Sequence, residues 1–174
     1  MATGKSSVGR ALASRLGREF VDTDLLVERR FGKPVATLFA EEGEAVFRRA
    51  ERAAVASAAR HAKAVIATGG GSLGDPGNVA VLRGAGPILC LTASPEAILS
   101  RVGPAQSRPL LAGASDPLET IRSLLGARAH LYALADFHLD TSTLTIEQVV
   151  DEICAALPSL WPEIPTRSSS APES

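Results

Sequence analysis

A glycine, a lysine and two serines stand directly before the first helical pattern of the chain. The stretch Thr3-Gly4-Lys5-Ser6-Ser7 matches the end of the phosphate-binding pattern glycine, four residues, glycine, lysine, serine or threonine. Backbone N–H groups at a helix start converge on phosphate oxygens, and the helix dipole strengthens the attraction. Gly4 permits close approach, the Lys5 ammonium suits β- and γ-phosphates, and the Ser6 hydroxyl suits Mg²⁺. Because Gly-Lys-Ser is also common by chance, the assignment depends on the residues that follow.

The first glycine of the phosphate-binding pattern would fall two residues before Met1. The strand that normally leads into such a loop would lie further upstream. We therefore expect the natural start to lie upstream, with Met1 as an internal methionine of the loop. The alternative is a real truncation, which would leave neighbouring strands with unpaired backbone groups.

Two carboxylates follow the next apolar run, in the stretch Val21-Asp22-Thr23-Asp24. If the chain is extended there, the period of two points both carboxylates to the same side. In phosphoryl transfer, one carboxylate can support a Mg²⁺ site and the other can orient and deprotonate the attacking hydroxyl. Aspartate is also favoured as a helix N-cap, and we expect Asp24 to be both cap and catalyst.

Three consecutive glycines, Gly69, Gly70 and Gly71, end the apolar run Ala64-Val65-Ile66-Ala67-Thr68. Three glycines cost more backbone entropy than a turn requires. Close approach of a ligand to the backbone explains them better, and an ordinary loop is the alternative.

Four arginines stand where an anion could be bound. Arg48 lies on an alanine-rich helical pattern and could clamp a carboxylate in bidentate fashion, although such an arginine is usually solvated. Arg101 and Arg108 border or lie within the loop of residues 103–113, which has the length of a lid. A lid arginine can neutralise charge on a transferred phosphoryl group. Arg128 stands late in a helical pattern, where it could simply complement the helix dipole.

The composition limits the class of protein. The chain has 174 residues, 45% hydrophobic and 21% charged, with a net charge of −1. These values suit one globular domain and argue against binding of nucleic acid or anionic membranes. Cys90 and Cys154 stand far apart in apolar runs, which fits a reducing cytosol and small buried side chains. There is no signal-peptide pattern and no membrane-length apolar run, so we expect a cytoplasmic monomer.

Short apolar runs alternate with helical patterns along the chain. This alternation predicts an α/β fold with a three-layer arrangement, in which helices cover both faces of a parallel sheet. Ligands of such sheets bind beyond the carboxyl ends of the strands, where the aspartates and glycines fall. Strands are predicted at residues 20–22, 64–68, 87–91 and 137–140. Helices are predicted at residues 6–16, 25–31, 44–62, 78–83, from 95, 117–135 and 146–157.

Together the motifs resemble those of shikimate kinases, which have a P-loop kinase fold. The segments that carry the resemblance are Gly-Lys-Ser, Val-Asp-Thr-Asp, Glu-Glu-Gly-Glu-Ala-Val-Phe-Arg, Ala-Thr-Gly-Gly-Gly, Arg-Pro-Leu-Leu-Ala-Gly and Arg-Ala-His-Leu-Tyr. They occur in the order and spacing of that family and cover about residues 1–157. The resemblance implies a chain that lacks the first, central strand of the family fold.

The resemblance also implies an activity, the transfer of the γ-phosphate of ATP to the 3-hydroxyl of shikimate, with Mg²⁺ as cofactor. It assigns catalysis to Lys5, Asp24 and Arg108. The implied ATP site comprises Ala2, Thr3, Gly4, Lys5, Ser6, Ser7, Arg101 and Arg108. The implied shikimate site comprises Asp24, Arg48, Gly69, Gly70, Gly71 and Arg128, and the implied Mg²⁺ site comprises Ser6 and Asp22.

The implied domain of residues 1–157 contains an acceptor-binding subdomain at about 24–54 and a lid at about 102–115. Residues 158–174, rich in proline and serine, are expected to be a disordered tail. Two alternatives stay open. One is another small-molecule kinase, such as a gluconate kinase. The other is a kinase-like domain that binds its ligand without turnover.

Overall fold

The computed structural model of the chain describes residues 3–102 and 115–162. Four strands and a series of helices alternate along these residues. The strands are β1 (Glu19–Asp22), β2 (Ala64–Ala67), β3 (Leu89–Thr92) and β4 (Phe137–Asp140). The helices are α1 (Lys5–Leu16), α2 (Thr23–Phe31), α3 (Val35–Ala58), α4 (Pro76–Ala85), α5 (Pro95–Val102), α6 (Pro117–Tyr132) and α7 (Ile146–Leu160), and a 3₁₀ turn spans Ser72–Gly74.

The strands form two parallel pairs. β1 pairs with β2, with Val21 opposite Ile66, and β3 pairs with β4, with Leu91 opposite Leu139. Within the described residues, no hydrogen-bonded ladder joins β2 to β3. The parallel strands and alternating helices confirm the predicted α/β class. The expected lack of a central strand stays a prediction.

One layer of helices packs on both strand pairs. Buried apolar side chains of α1 and α7 form its core, with Val8 and Leu12 meeting Val149, Ile153 and others. Because side chains alternate along a strand, every second strand residue points into this layer. The strand residues in the layer are Val65, Leu89, Leu91, Phe137 and Leu139.

A separate apolar cluster joins α2 to α3. Val27 and Leu38 are 2% and 0% exposed, and Phe47, Ala50 and Ala54 complete the cluster. This cluster lies within the segment predicted to bind the acceptor. It gives α2 and α3 a core of their own, which fixes the helix that carries Arg48.

The predicted helix starts are confirmed where the sequence supplies a cap. The Asp116 carboxylate accepts hydrogen bonds from the first-turn N–H groups of α6, directly before Pro117. Thr145 and Gln148 form the predicted capping box of α7. Such caps satisfy backbone donors that the helix itself leaves unpaired.

The predicted boundaries of α3 were wrong. The helix begins at Val35 rather than near residue 44, and it ends at Ala58 rather than at residue 62. Gly43, with φ 81° and ψ 170°, interrupts it with a kink. A short first segment precedes the kink. Lys33, which stands just before this segment, forms ion pairs with Glu41 and Glu42 at its far end, at 2.8 and 3.2 Å. Because glycine is a poor helix former, helix propensity alone did not predict the segment before Gly43.

The start of the expected tail was also wrong. Residues 158–160 belong to α7, and Pro158 lies inside the helix. Proline lacks a backbone N–H and so loses one helical hydrogen bond, here in the last turn of α7. The rest of the expected tail from residue 163, and most of the expected lid, lie outside the described residues. In the two described ranges, no helix combines the length and apolar character needed to cross a membrane.

Candidate active site

The phosphate-binding segment lies at the N-terminus of α1. Gly4 is the N-cap and has φ 86°, a left-handed conformation that glycine adopts without steric penalty. Its carbonyl accepts the hydrogen bond of Val8 N–H at 2.8 Å. The conformation leaves Lys5, Ser6 and Ser7 in the first turn, where free N–H groups and the helix dipole favour an anion. Ala2 lies outside the described residues.

Ser6 and Asp22 are in direct contact. The Ser6 hydroxyl donates a hydrogen bond to Asp22 Oδ2 at 3.0 Å. The other oxygen, Oδ1, accepts from Asp24 N–H at 3.0 Å and from Leu25 N–H at 3.5 Å. Asp22 thus ends β1, caps α2 and reaches the phosphate-binding segment. The two residues predicted to share a metal site are therefore neighbours.

The predicted capping role of Asp24 was wrong, because Asp22 is the N-cap of α2. Asp24 lies in the first turn of that helix rather than in an extended continuation of β1. An aspartate in the first turn is favoured by the helix dipole, so the position is stable without a capping bond. The turn of helix, and not a strand alternation, orients the Asp24 carboxylate.

Lys5 and Asp24 perturb each other's titration. Burial lowers the pKa of Lys5, and the charges of Asp24 and Asp22 oppose this shift. Burial, together with the charges of Asp22 and Glu51, raises the pKa of Asp24, and Lys5 opposes this shift. Shifts of this kind, produced by burial and specific charged neighbours, are typical of functional sites.

The three glycines after β2 each face a charged side chain. A β-carbon at position 69 would lie 3.0 Å from Glu51 Oε1 and 3.1 Å from Asp24 Oδ1. At positions 70 and 71, a β-carbon would lie 3.2 Å from an Arg128 or an Arg48 guanidinium nitrogen, respectively. These separations are tighter than ordinary contacts, so any side chain would displace the charged groups. The absence of side chains lets α2, α3 and α6 bring their charges to one backbone segment.

Glu51 fixes the Arg48 guanidinium and was not predicted. Arg48 Nη1 donates to Glu51 Oε2 at 2.8 Å, and Glu44 Oε1 accepts from two other guanidinium nitrogens at 3.2 Å. Glu51 is 2% exposed, and its Oε1 has no hydrogen-bond partner among the described residues. A buried, half-satisfied carboxylate is costly unless another group approaches it. Its spacing of three residues from Arg48 on a helix was the signal available in the sequence.

Arg128 and Tyr132 approach Gly70 together from α6. They are four residues apart and therefore share a helix face. A β-carbon at position 70 would lie 3.7 Å from the Tyr132 hydroxyl, as well as close to Arg128. Arg128 is also among the charges that lower the pKa of Lys5. Tyr132 was not predicted as part of the site.

Arg101 lies apart from the glycine segment. Its guanidinium donates to Thr141 Oγ1 at 3.0 Å, to Ser142 O at 3.3 Å and to the Thr141 carbonyl. Thr141 is buried and also reaches the carbonyls of Thr92 and Thr3, at 2.9 and 3.5 Å. Arg101 therefore ties α5 to the residues that follow β4, and the Thr141 hydroxyl reaches from there to the phosphate-binding segment. Its contact with ATP stays a prediction, and Arg108 lies outside the described residues.

The fold and these contacts define a class of protein. A phosphate-binding helix start lies at the carboxyl end of parallel strands, and acidic and basic side chains gather beside it. This combination is that of a P-loop kinase that acts on a small acceptor.

Comparison with known proteins identifies the family. The family model described as "Shikimate kinase" matches residues 1–158. A shikimate kinase of Caldanaerobacter subterraneus subsp. tengcongensis is 46% identical over 90% of this chain and 91% of its own. The solved shikimate kinase of Acinetobacter baumannii, in complex with shikimate, has a TM-score of 0.83 at 33% identity, covering 91% of this chain and 89% of its own. That of Bacteroides thetaiotaomicron has a TM-score of 0.82 at 32% identity, covering 90% and 93%. The chain belongs to the shikimate kinase family.

Asp24 should bind its proton at a higher pH than an ordinary aspartate. Replacing Glu51 by glutamine removes a negative charge that raises the Asp24 pKa, so the pKa should fall towards the usual range. Glu44→Gln, which also removes a partner of Arg48 but does not act on Asp24, should leave the pKa unchanged. The measurement is the pH dependence of the Asp24 carboxyl ¹³C shift by NMR. An ordinary pKa in the native protein would contradict the burial of this carboxylate.

Proposed function

We propose that this chain transfers the γ-phosphate of ATP to the 3-hydroxyl of shikimate, giving shikimate 3-phosphate and ADP. Family membership over residues 1–158 supports the reaction class. The observation that carries the assignment is the convergence on Gly69–Gly71 of two carboxylates and two guanidinium groups, from Asp24, Glu51, Arg48 and Arg128. Shikimate bears a carboxylate and hydroxyls, and such a set complements both.

The proposed ATP site is the start of α1. Thr3 to Ser7 would supply backbone N–H groups and the Lys5 ammonium would bind the β- and γ-phosphates, and the family resemblance assigns Ala2 to the same site. The lowered pKa of Lys5 means that its charge is lost at a lower pH than that of a free lysine. Arg108 would close over the phosphates as part of a lid at about residues 102–115, with Arg101 near the base.

The proposed Mg²⁺ site is Ser6 and Asp22. Both offer oxygen, the donor that Mg²⁺ prefers, and their oxygens lie 3.0 Å apart at the phosphate-binding helix start. Two protein oxygens suit this ion, because it usually completes its octahedron with waters and substrate phosphates. When bound, Mg²⁺ supplies charge neutralisation of the phosphates. The described residues contain no cluster of three or more His, Cys, Asp or Glu side chains suited to a metal.

On the acceptor side, Arg48 and Arg128 would bind the shikimate carboxylate and Asp24 the reacting hydroxyl. The raised pKa of Asp24 makes it a stronger proton acceptor than an ordinary aspartate, which suits a general base. Glu51 holds the Arg48 guanidinium in place before substrate arrives, so less rotamer entropy is lost on binding. The α2–α3 cluster supports an acceptor-binding subdomain at about residues 24–54 within a domain of residues 1–157.

A coupled assay of ADP release tests this function. Mg²⁺, ATP and shikimate should give turnover, and gluconate in place of shikimate should give none. Asp24→Asn should lower kcat by about 100-fold or more, the usual effect of losing a general base. Preferential use of gluconate would show that gluconate, and not shikimate, is the acceptor. Shikimate binding without ADP release would support the alternative of a binding domain.

Substitutions of two adjacent arginines test the proposed binding of the shikimate carboxylate. Arg48→Ala should raise the KM for shikimate by about tenfold or more, as expected for loss of a charge-assisted hydrogen bond, while the KM for ATP stays nearly constant. Arg49→Ala is the matched control, because Arg49 is exposed and lies one residue further along α3. Equal losses of shikimate and ATP affinity in Arg48→Ala would contradict the proposal that Arg48 binds the shikimate carboxylate.

A further inference from the structure

The glycine segment, Gly69–Gly71, needs to be held at both ends. Glycine loses more backbone entropy on ordering than any other residue, so a run of three keeps one conformation only if its flanks are fixed. At the near end, β2 pairs with β1 as far as Ala67. At the far end, the 3₁₀ turn Ser72–Gly74 follows directly, and Ser72 is 0% exposed. The contacts of Ser72 therefore decide where the glycines lie.

The side chain of Asn78 holds Ser72. Its Nδ2 donates to the Ser72 carbonyl at 3.0 Å and to Ser72 Oγ at 3.3 Å. Asn78 lies in the first turn of α4 and is 1% exposed. The Asp75 N–H also reaches the Ser72 carbonyl, but at 3.4 Å, so Asn78 is the closer donor. Because only the amide nitrogen can donate to a carbonyl, the orientation of the Asn78 amide is fixed.

Stability alone does not explain an amide at position 78. The other amide atom, Asn78 Oδ1, is buried and has no hydrogen-bond partner among the described residues. An unpaired buried acceptor costs free energy, whereas an apolar side chain would fill the space without that cost. Helix capping does not explain the amide either, because Asp75 is the N-cap of α4 and accepts from Gly77 N–H. The distinct contribution of Asn78 is the donor that it presents to Ser72.

The backbone that Asn78 holds lies against α3. A β-carbon at Gly71 would lie 3.2 Å from two guanidinium nitrogens of Arg48. One turn further along α3, Arg52 Nε donates to Asp75 Oδ2 at 2.7 Å. The Arg52 side chain is 61% exposed, and exposed ion pairs contribute little to stability. The buried hydrogen bond of Asn78 is therefore the main polar restraint on the segment that faces Arg48.

We propose that Asn78 is a positioning residue for acceptor binding, which holds the Ser72 carbonyl and so keeps the glycine segment beside Arg48 and Arg128. The inference rests on the proposed function, because it takes the glycine segment as the place where shikimate binds. Asn78 acts through the backbone and not by touching the substrate. Its loss frees the glycines to move away from the guanidinium groups, which weakens the binding of shikimate but not that of ATP.

The native protein offers a direct test, because Asn78 is the only asparagine in the chain. Labelling asparagine with ¹⁵N at the side-chain amide therefore gives a single NH₂ group in the NMR spectrum. The protons of this group should exchange with solvent at least about tenfold more slowly than those of free asparagine, because they are buried and bonded to Ser72. Exchange at the rate of free asparagine would overturn the proposal.

Two substitutions at neighbouring buried positions test the effect on binding. Asn78→Leu removes the donor, and the matched control Val79→Ala shortens an apolar side chain of the same helix turn. Asn78→Leu should raise the KM for shikimate by about fivefold or more, as expected for a lost hydrogen bond and an unpaired carbonyl. The KM for ATP and kcat at saturation should stay nearly constant. Val79→Ala should lower Tm without changing the ratio of the two KM values.

The remaining outcomes separate this proposal from its alternatives. A lower Tm with an unchanged KM ratio in Asn78→Leu would show a purely structural role and overturn the proposal, as would an equal change of that ratio in Val79→Ala. If Asn78→Leu fails to fold, Asn78→Ala removes the donor without adding volume.

A native chain that shows no turnover with shikimate would contradict the proposed function and not the anchoring of the glycine segment. Hydrogen exchange of the backbone amides of residues 69–74, measured without substrate, then decides. Exchange that is faster by about fivefold or more in Asn78→Leu than in Val79→Ala would support the anchor. Equal exchange in the two variants would overturn it.

Discussion

The site depends on a stretch of backbone that carries no side chains. Gly69, Gly70 and Gly71 leave room for charged groups of α2, α3 and α6 to lie about 3 Å from where a β-carbon would be. The α2–α3 pair, which shares an apolar cluster, and α6 are thereby brought to a common point. Because the groups are partly buried, their mutual electrostatic effects are stronger than in water. The geometry of the acceptor side therefore follows from the small size of three residues.

The same crowding sets the protonation behaviour of the site. Asp22 and Glu51 lie near Asp24, so burial and like charge disfavour its ionisation and raise its pKa. The 2.8 Å ion pair with Arg48 offsets part of the cost of burying the Glu51 carboxylate. The same ion pair orients the Arg48 guanidinium. Such preorganised charge requires little rearrangement when an anionic substrate arrives, which is the main way in which enzymes stabilise transferred charge.

Much of the fold was predictable from the sequence where local chemistry decides it. Strand β4 was predicted without error, and the starts of α6 and α7 followed from the caps at Asp116 and Thr145. The first segment of α3 was not predicted, because helix propensity does not show that the helix continues on both sides of the kink at Gly43. The motif residues were identified one by one, but Glu51 and Tyr132 were not. Glu51 and Tyr132 stand three and four residues from the predicted arginines, but their approach to the glycine segment joins distant parts of the chain, which spacing does not report.

The central claim is that the glycine segment must stay free of side chains to hold the acceptor charges. The most direct measurement compares Gly71→Ala with Gly126→Ala, an exposed position of α6 at which a β-carbon would meet nothing within 4 Å among the described residues. Gly71→Ala should raise the KM for shikimate by about tenfold, the effect of displacing a charge-assisted contact, with the KM for ATP nearly unchanged. Gly126→Ala should leave both constants unchanged. An unchanged KM for shikimate in Gly71→Ala would contradict the account.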